Sequence, residues 1–363
     1  MAGKVVVVTG VAGYWGARIA ARLANEADYH VIGLDREPPA DEVEDLDFIQ
    51  ADIRNPLLVD LFKAEGVDTV VHLAFAATTR LSESAFDLNV MGTTKLLGAC
   101  QQAGVRKAVL KSSTAVYGAR PSNSAFLEED HPLRGSKRYG TIRDLVEIER
   151  FCKDFRRQAP ELVLTTLRFP GIVGPTADTP MTCFLKSGRT PTMLGFDPMM
   201  QIIHEDDVVE ALLHATRSDT AGTFNVAATD VLPLSKIRGL AGKPSFAVLH
   251  LLAYWGVGRW RTVDQRLQHY LPMEPDYLRF PWVGDLRRMH ERLGFEPHYT
   301  AEETLRELAE KFRGDRLLVG PVSMAHEEER LSEVIEERRQ ARQQQVASSS
   351  EEGGEDESSE TKG

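Results

Sequence analysis

A chain of 363 residues, 42% hydrophobic and 27% charged, can bury a large core and has the balance of a soluble globular protein, not of a disordered or membrane-embedded one. Its formal charge of −11 is uneven: residues 314–363 hold thirteen acids against six bases, and no basic stripe occurs, which argues against a nucleic-acid partner. The cysteines Cys100, Cys152 and Cys183 are odd in number and lack zinc-ligand spacing, so free thiols in a reducing, cytoplasmic setting and no metal site are expected.

The first predicted strand, Val5–Thr9, has no charged-then-apolar leader before it, so no secretory signal is expected. It runs into the turn Thr9-Gly10-Val11-Ala12-Gly13-Tyr14-Trp15-Gly16, and the periodicity then predicts a helix over Gly16–Ala27. Strand, glycine turn and helix in that order are the context of a dinucleotide site. Gly10 permits the tight turn, Gly13 lets the backbone approach a pyrophosphate, and Gly16 lets the helix pack on the strand. The amides around Tyr14 and Trp15 then stand at a helix N-terminus, where anions are favoured.

The second predicted strand, Val31–Asp35, ends on a carboxylate 19 residues after Gly16. A carboxylate there accepts bonds from ribose hydroxyls and repels a 2′-phosphate, which favours NAD over NADP. Arg36 beside it tempers that preference. Apolar runs at Thr69–Leu73, Lys107–Lys111 and Val163–Arg168 alternate with amphipathic stretches at Ala85–Ala103 and Thr141–Arg157. Unbroken apolar runs suit strands buried on both faces, and their alternation with helices means right-handed βαβ units. The expected fold class is α/β: a Rossmann-type doubly wound parallel sheet with a smaller C-terminal substrate lobe.

Beyond Arg168 the pattern changes. Residues 170–204 are rich in Pro, Gly and Thr, followed by a helix near His204–Thr216, a strand near Thr223–Val226 and helical character over 285–312 with a turn at Leu293–Pro297. The division expected is a core over 1–170, a lobe over 171–312 with some segments returning to the core, a charged helix over 313–345 and a disordered acidic tail over 346–363. The longest apolar stretch, Phe246–Val257, is interrupted by His250 and Gly256 and is shorter than the roughly 20 residues a membrane span needs. Tyr254, Trp255 and Trp260 read as packing, not as a membrane patch.

Several motifs, in order, resemble the extended short-chain dehydrogenase/reductase family in its NAD-dependent epimerase/dehydratase branch. They are the glycine turn, Asp52-Ile53, His72-Leu73-Ala74, Asn89-Val90-Met91-Gly92-Thr93, Ser112-Ser113-Thr114-Ala115-Val116-Tyr117-Gly118, Leu167-Arg168 with Gly174-Pro175, and His204-Glu205-Asp206-Asp207. The resemblance covers about residues 4–312. It implies a cofactor site drawn from Gly10, Gly13, Tyr14, Trp15, Gly16, Asp35, Arg36, Asp52, Ile53, Leu73, Ala74 and Asn89, with Asp52-Ile53 at the adenine and Leu73-Ala74 along the cofactor.

The same resemblance implies a catalytic set. Ser113, four residues before Tyr117, stands where the family hydrogen-bonds the reacting oxygen. Tyr139, 22 residues after Tyr117, stands where the family carries its general acid/base. The usual Y-x-x-x-K reads Tyr139-Gly140-Thr141-Ile142-Arg143, so Arg143 takes the place of the lysine that poises the phenol and holds the ribose. A nearby cation favours the phenolate, but Arg and Lys are not interchangeable.

Two positions depart from the family's substrate side. Gly171 replaces the Asn that contacts a substrate diphosphate, and Pro198-Met199-Met200-Gln201 precedes His204 without the usual Arg. Arg287 or Arg288 are candidates to take over. His204 reads as a structural histidine, with Asp206 and Asp207 charging the start of its helix. The expected activity is NAD-dependent chemistry at a hydroxyl or ketone of a carbohydrate, with a nucleotide sugar as the leading small-molecule partner and a homodimer left open. Gly171, Met199 and Met200 keep a hydrophobic alcohol or lipid-linked substrate open, and Arg143 keeps open a degenerate NAD-binding sensor or scaffold.

Overall fold

The computed structural model describes residues 3–41, 43–78, 80–187, 189–249 and 275–318. Of the charged helix expected over 313–345 only residues 313–318 are described, and the acidic tail over 346–363, with Tyr254, Trp255 and Trp260, lies outside the described residues.

The chain begins with strand β1 (Lys4–Thr9), helix α1 (Tyr14–Ala24), β2 (Tyr29–Asp35), β3 (Leu46–Gln50), α2 (Leu58–Ala64) and β4 (Thr69–His72). Helix α3 (Glu83–Phe86), a π-helical turn (Asp87–Met91) and α4 (Gly92–Ala103) follow without a break, then β5 (Lys107–Ser113), α5 (Gly140–Gln158) and β6 (Val163–Phe169). After β7 (Gly171–Val173), α6 (Pro180–Lys186), β8 (Thr190–Met193), β9 (Met199–Met200) and β10 (Ile202–His204) come α7 (Glu205–Arg217) and β11 (Gly222–Asn225).

Seven strands form one sheet in the order β11-β6-β5-β4-β1-β2-β3, every neighbouring pair parallel. Strand order reverses between β1 and β4, the switch point beside which doubly wound sheets open a crevice at their C-terminal ends. The alternation of β1 shows why its run of valines is unbroken. Val6 and Val8 enter a core with Ile19 and Leu23 of α1 and Val208 and Leu212 of α7, while Val7 enters a second core with Phe62 of α2, Leu96 of α4 and Cys152 of α5. Both faces are buried along Val6–Val8, so no position in that run calls for a polar residue.

Strand β11 returns from the second half of the chain to close the sheet edge against β6, pairing Phe224 with Leu167 and Asn225 with Arg168. Three two-stranded ribbons lie outside the sheet: β10 with β7, β9 with β12 (Leu232–Pro233), and β8 with β13 (Ser245–Val248). The described residues up to Ala309 belong to one compact unit. Among the described residues no helix is long and apolar enough to cross a membrane.

Edge strand β3 has no counterpart in the sequence reading. Its residues are half-buried or exposed, so it lacks the apolar run that marks an inner strand. The helical character expected over 285–312 divides into a π-turn at Met289–Leu293, closed by Gly294 in the left-handed region (φ +69°), and a separate helix at Ala301–Leu318. Gly294, a C-terminal stop signal, lies in the turn read at Leu293–Pro297, where the helical stretch is interrupted.

Candidate active site

Two openings flank the C-terminal ends of the strands. The smaller, about 180 Å³, is lined by Gly10, Gly13, Asp35, Arg36, Ala51, Ile53, Leu73, Ala74, Phe75, Ala76 and Leu88. The glycines of its turn serve different needs. Gly10 is in the left-handed region (φ +82°), and a Cβ there would stand 2.6 Å from the Leu73 carbonyl carbon. A Cβ on Gly16 would overlap the Gly10 carbonyl, so this glycine holds α1 against β1. Gly13 differs: its Cβ would meet only the Gly10 oxygen, at 3.3 Å, so the protein's own packing scarcely demands a glycine. Bare backbone at that point makes room for something other than protein.

Helix α1 starts with no capping side chain and no acid in its first turn. Its leading amides are therefore available to an anion. Asp35, the last residue of β2, accepts from the Ala12 amide at 3.0 Å and from the Arg36 amide at 2.6 Å, which aims the carboxylate into the cleft. Turn, amides and carboxylate fit the pyrophosphate and ribose of NAD.

Five residues expected at the cofactor do not line this cleft. Gly16 is buried beneath the turn. The Tyr14 hydroxyl donates to Glu205 at 2.7 Å and accepts from Arg18, and burial raises its pKa. Trp15 packs at the core edge with the Lys111 ammonium 5.2 Å from its ring. Asp52 accepts from the Arg54 backbone and guanidinium, which hold its pKa at about 2, and leaves Ile53 to face the cleft. Asn89 is buried, bonding both ways with Ala76 and donating to Asp144 at 3.0 Å, so it braces the cleft wall from behind.

His72 ties the cleft floor to the turn. The Thr93 hydroxyl donates to the Asn89 carbonyl and so accepts from His72 Nε2–H at 2.9 Å. Nδ1 is then the acceptor of the Thr9 hydroxyl at 2.8 Å, and the Thr9 oxygen accepts from the Leu73 and Ala74 amides. The ring is fully buried, which pulls its pKa down to about 3.

The larger cavity, about 650 Å³, is walled by segments 118–121, 133–139, one face of α5 and residues 275–280. Tyr139 and Arg143 both line it. Tyr139 is the extended residue that opens α5, and its carbonyl accepts the Arg143 amide at 2.9 Å, which sets the two one turn apart. The Arg143 guanidinium bonds Asp144 Oδ1 through Nε (2.9 Å) and Nη2 (2.7 Å) and lies over the Phe86 ring. Ser113, the last residue of β5, lies outside this lining, and its Oγ accepts the Ala115 amide at 3.2 Å.

The substrate-side candidates are placed elsewhere. The room a side chain at Gly171 would need is taken by Met181, whose Cε stands 2.8 Å from the Cβ position. Gln201 exchanges two hydrogen bonds with the Gly284 backbone. Met199 and Met200 form ribbon β9 and do not reach the cavity lining. Arg287 pairs with Asp285 and Glu128, and Arg288 with Asp130 and Glu129. His204 caps α7, accepting from the Asp206 amide, and stacks on Tyr299.

A buried ionic network joins motifs that sequence spacing leaves separate. Arg168 donates to Glu149 through Nε and Nη2, and through Nη1 to the Tyr117 hydroxyl at 2.7 Å and the Glu129 carbonyl at 2.9 Å. Ser112 donates to Glu149 at 2.5 Å, and Tyr117 to Asn225 at 2.7 Å. Sequence reasoning missed Asp144, Glu149, Glu129 and Asn225. For the first two a signal existed: both are acids on the buried stripe of α5 with Ile148, Cys152 and Phe155. A buried carboxylate demands a partner. Among the described residues no group of three His, Cys, Asp or Glu could hold a metal ion.

Comparison with known proteins agrees with this architecture. Residues 6–227 match the model of the NAD dependent epimerase/dehydratase family. An uncharacterized protein of Mycobacterium tuberculosis is 35% identical over 313 residues, covering 83% of this chain and 82% of that one. A UDP-glucose 4-epimerase of Mycolicibacterium smegmatis is 28% identical over 338 residues, covering 85% and 98%. In fold, the chain is similar to the crystal structure of a UDP-glucose 4-epimerase from Thermotoga maritima with UDP-glucose, with a TM-score of 0.63, 21% identity and coverage of 86% and 99%.

Proposed function

Since the chain belongs to the NAD dependent epimerase/dehydratase family, we propose that it acts at a hydroxyl or ketone of a carbohydrate, a nucleotide sugar being the leading class, with Tyr139 carrying the proton. The observation behind this reading is that Tyr139 and Arg143 share one large cavity while the glycine turn and Asp35 share a separate cleft. NAD, when bound, supplies the hydride chemistry.

The chain's own residues divide the remaining work. The amides at the start of α1 and the bare backbone of Gly13 receive the pyrophosphate, and Asp35 receives the ribose hydroxyls and opposes a 2′-phosphate. The Tyr139 phenol takes or returns the proton of the reacting oxygen. Arg143, one turn on, supplies positive charge that favours the phenolate. Asp144 holds that guanidinium in place and offsets part of its charge. Ser113 caps the turn after β5 and orients the strand end that the substrate approaches. In this reading the substrate side draws on segments of both 1–170 and 171–312, and the three free cysteines fit a reducing cytoplasm.

Tyr139→Phe tests the assignment. Turnover of a nucleotide sugar, followed as reduction of bound NAD or as product, should fall by about 100-fold or more, with NAD affinity kept. Arg143→Lys should retain turnover, because a cation remains at the same helical position. Unaltered turnover in Tyr139→Phe against a verified substrate removes Tyr139 from the chemistry.

A further inference from the structure

The charge lining the larger cavity is not what a neutral sugar needs. Arg120, Arg134, Lys137, Arg138, Arg143 and Arg150 face it together with Tyr139, against the acids Glu147 and Asp276. Some of this charge is spent inside the protein: Arg150 pairs with Glu147 and Arg143 with Asp144. Arg120 donates only to the neutral Arg134 carbonyl, at 3.3 Å. The Arg134 guanidinium and the Lys137 ammonium make no hydrogen bond or ion pair among the described residues.

The positions read from the sequence as departures on the substrate side show the reverse. Met181 fills the space beside Gly171, Gln201 is engaged with Gly284, and Arg287 and Arg288 are neutralised by four acids. Uncompensated positive charge therefore gathers around Tyr139. Cations walling a concave site focus their field into it and select an anion there. Guanidinium groups hold carboxylate and phosphate oxygens especially well.

We infer that the substrate carries an anionic group, a carboxylate or a phosphate ester, on the same sugar unit that reacts at Tyr139, held by Arg134 and Lys137 with Arg120. This rests on the cavity being the substrate site proposed above. It narrows the substrate to an acidic or phosphorylated sugar, and the 650 Å³ volume leaves open whether a nucleotide is also attached.

The test titrates NAD-loaded full-length protein with three probes: UDP-glucose, UDP-glucuronate and glucose 6-phosphate. Binding is read by calorimetry, and turnover by product chromatography together with NADH absorbance, since an epimerase or dehydratase returns the hydride and regenerates NAD. At least one charged sugar should bind about 10-fold or more tightly than UDP-glucose. Preference for UDP-glucuronate identifies a nucleotide-linked acid; preference for glucose 6-phosphate identifies a free sugar phosphate. In the double variant Arg134→Ala/Lys137→Ala that preference should collapse to within about threefold, while Arg134→Lys should keep most of it. Both side chains are exposed, and an unchanged melting temperature verifies folding. The inference is overturned if neither charged sugar outbinds UDP-glucose, or if the preference survives the double variant. Charged-sugar binding with neither product nor NADH would count against the proposed activity and not against the anion site. UDP-glucose turnover with no preference for charge would do the opposite.

Discussion

The two openings are built from opposite materials. The cofactor cleft is made of backbone, glycine and small apolar residues at the ends of buried strands, and its fit is set by steric limits of a few tenths of an ångström. The larger cavity, proposed as the substrate site, is walled largely by long cationic side chains on segments 118–121 and 133–139 and on α5, and its fit is set by charge. A steric site tolerates almost no substitution but accepts one ligand shape. A charged site tolerates many substitutions, each of which retunes what it selects.

That contrast breaks first at the glycine turn. Gly16→Ala should be the most damaging single change, destabilising the protein by about 3 kcal/mol or more, because the new Cβ overlaps the Gly10 carbonyl. Gly13→Ala should leave the denaturation midpoint nearly unchanged and still weaken NAD binding by about 10-fold or more, as its methyl group meets the pyrophosphate instead of the protein. Equal stability losses in the two variants, measured by urea denaturation, would mean that both glycines serve packing alone.

Acid should act through the buried histidine beneath the cleft. His72 has a folded pKa of about 3 against about 6.5 when unfolded. The unfolded chain therefore binds a proton that the folded chain refuses between those values. Its stabilising contribution is complete above pH 6.5 and is lost as pH falls toward 3, with a slope of up to about 1.4 kcal/mol per pH unit. Urea midpoints from pH 7 to pH 4 should show the decline, and His72→Asn should flatten it. A His72→Asn variant with the parent's slope would assign the acid sensitivity to other groups.

The smallest expected effect concerns selectivity. Asp35→Ala should narrow the preference for NAD over NADP by about 10-fold, through loss of a carboxylate that repels the 2′-phosphate. Dissociation constants for both cofactors in both proteins check it; an unchanged ratio would make Arg36 the deciding residue.

The inner strands, the glycine turn and the position of Asp35 were legible because each is a local constraint: an unbroken apolar run, a glycine where a Cβ cannot fit, an acid at a strand end. Strand β3 was not, because an edge strand with half-buried residues carries no run. The gathering of Arg120, Arg134 and Lys137 around Tyr139 was not legible either. Their spacing in sequence has no period, and only the turn from Tyr117 to Gly140 brings them to one wall. Asp52 and Asn89 show the converse. Both stand in recognisable motifs, yet Arg54, Ala76 and Asp144 claim their side chains.

Asn225, the last residue of the sheet-closing strand β11, has a further consequence for how the chain is made. Its side chain donates to the carbonyls of Leu127 and Asp285 and accepts from Tyr117, while its amide donates to Glu129. Three of those partners precede it by 96 to 108 residues, and one follows it by 60. During synthesis at roughly 5–20 residues per second, β11 is thus produced several seconds before Asp285 exists. In that interval β11 lacks the Asp285 acceptor that anchors its end, and an unanchored edge strand is open to pairing with the wrong partner. Faster or slower translation between codons 225 and 285 should therefore change the yield of folded protein without changing the melting temperature of the finished chain.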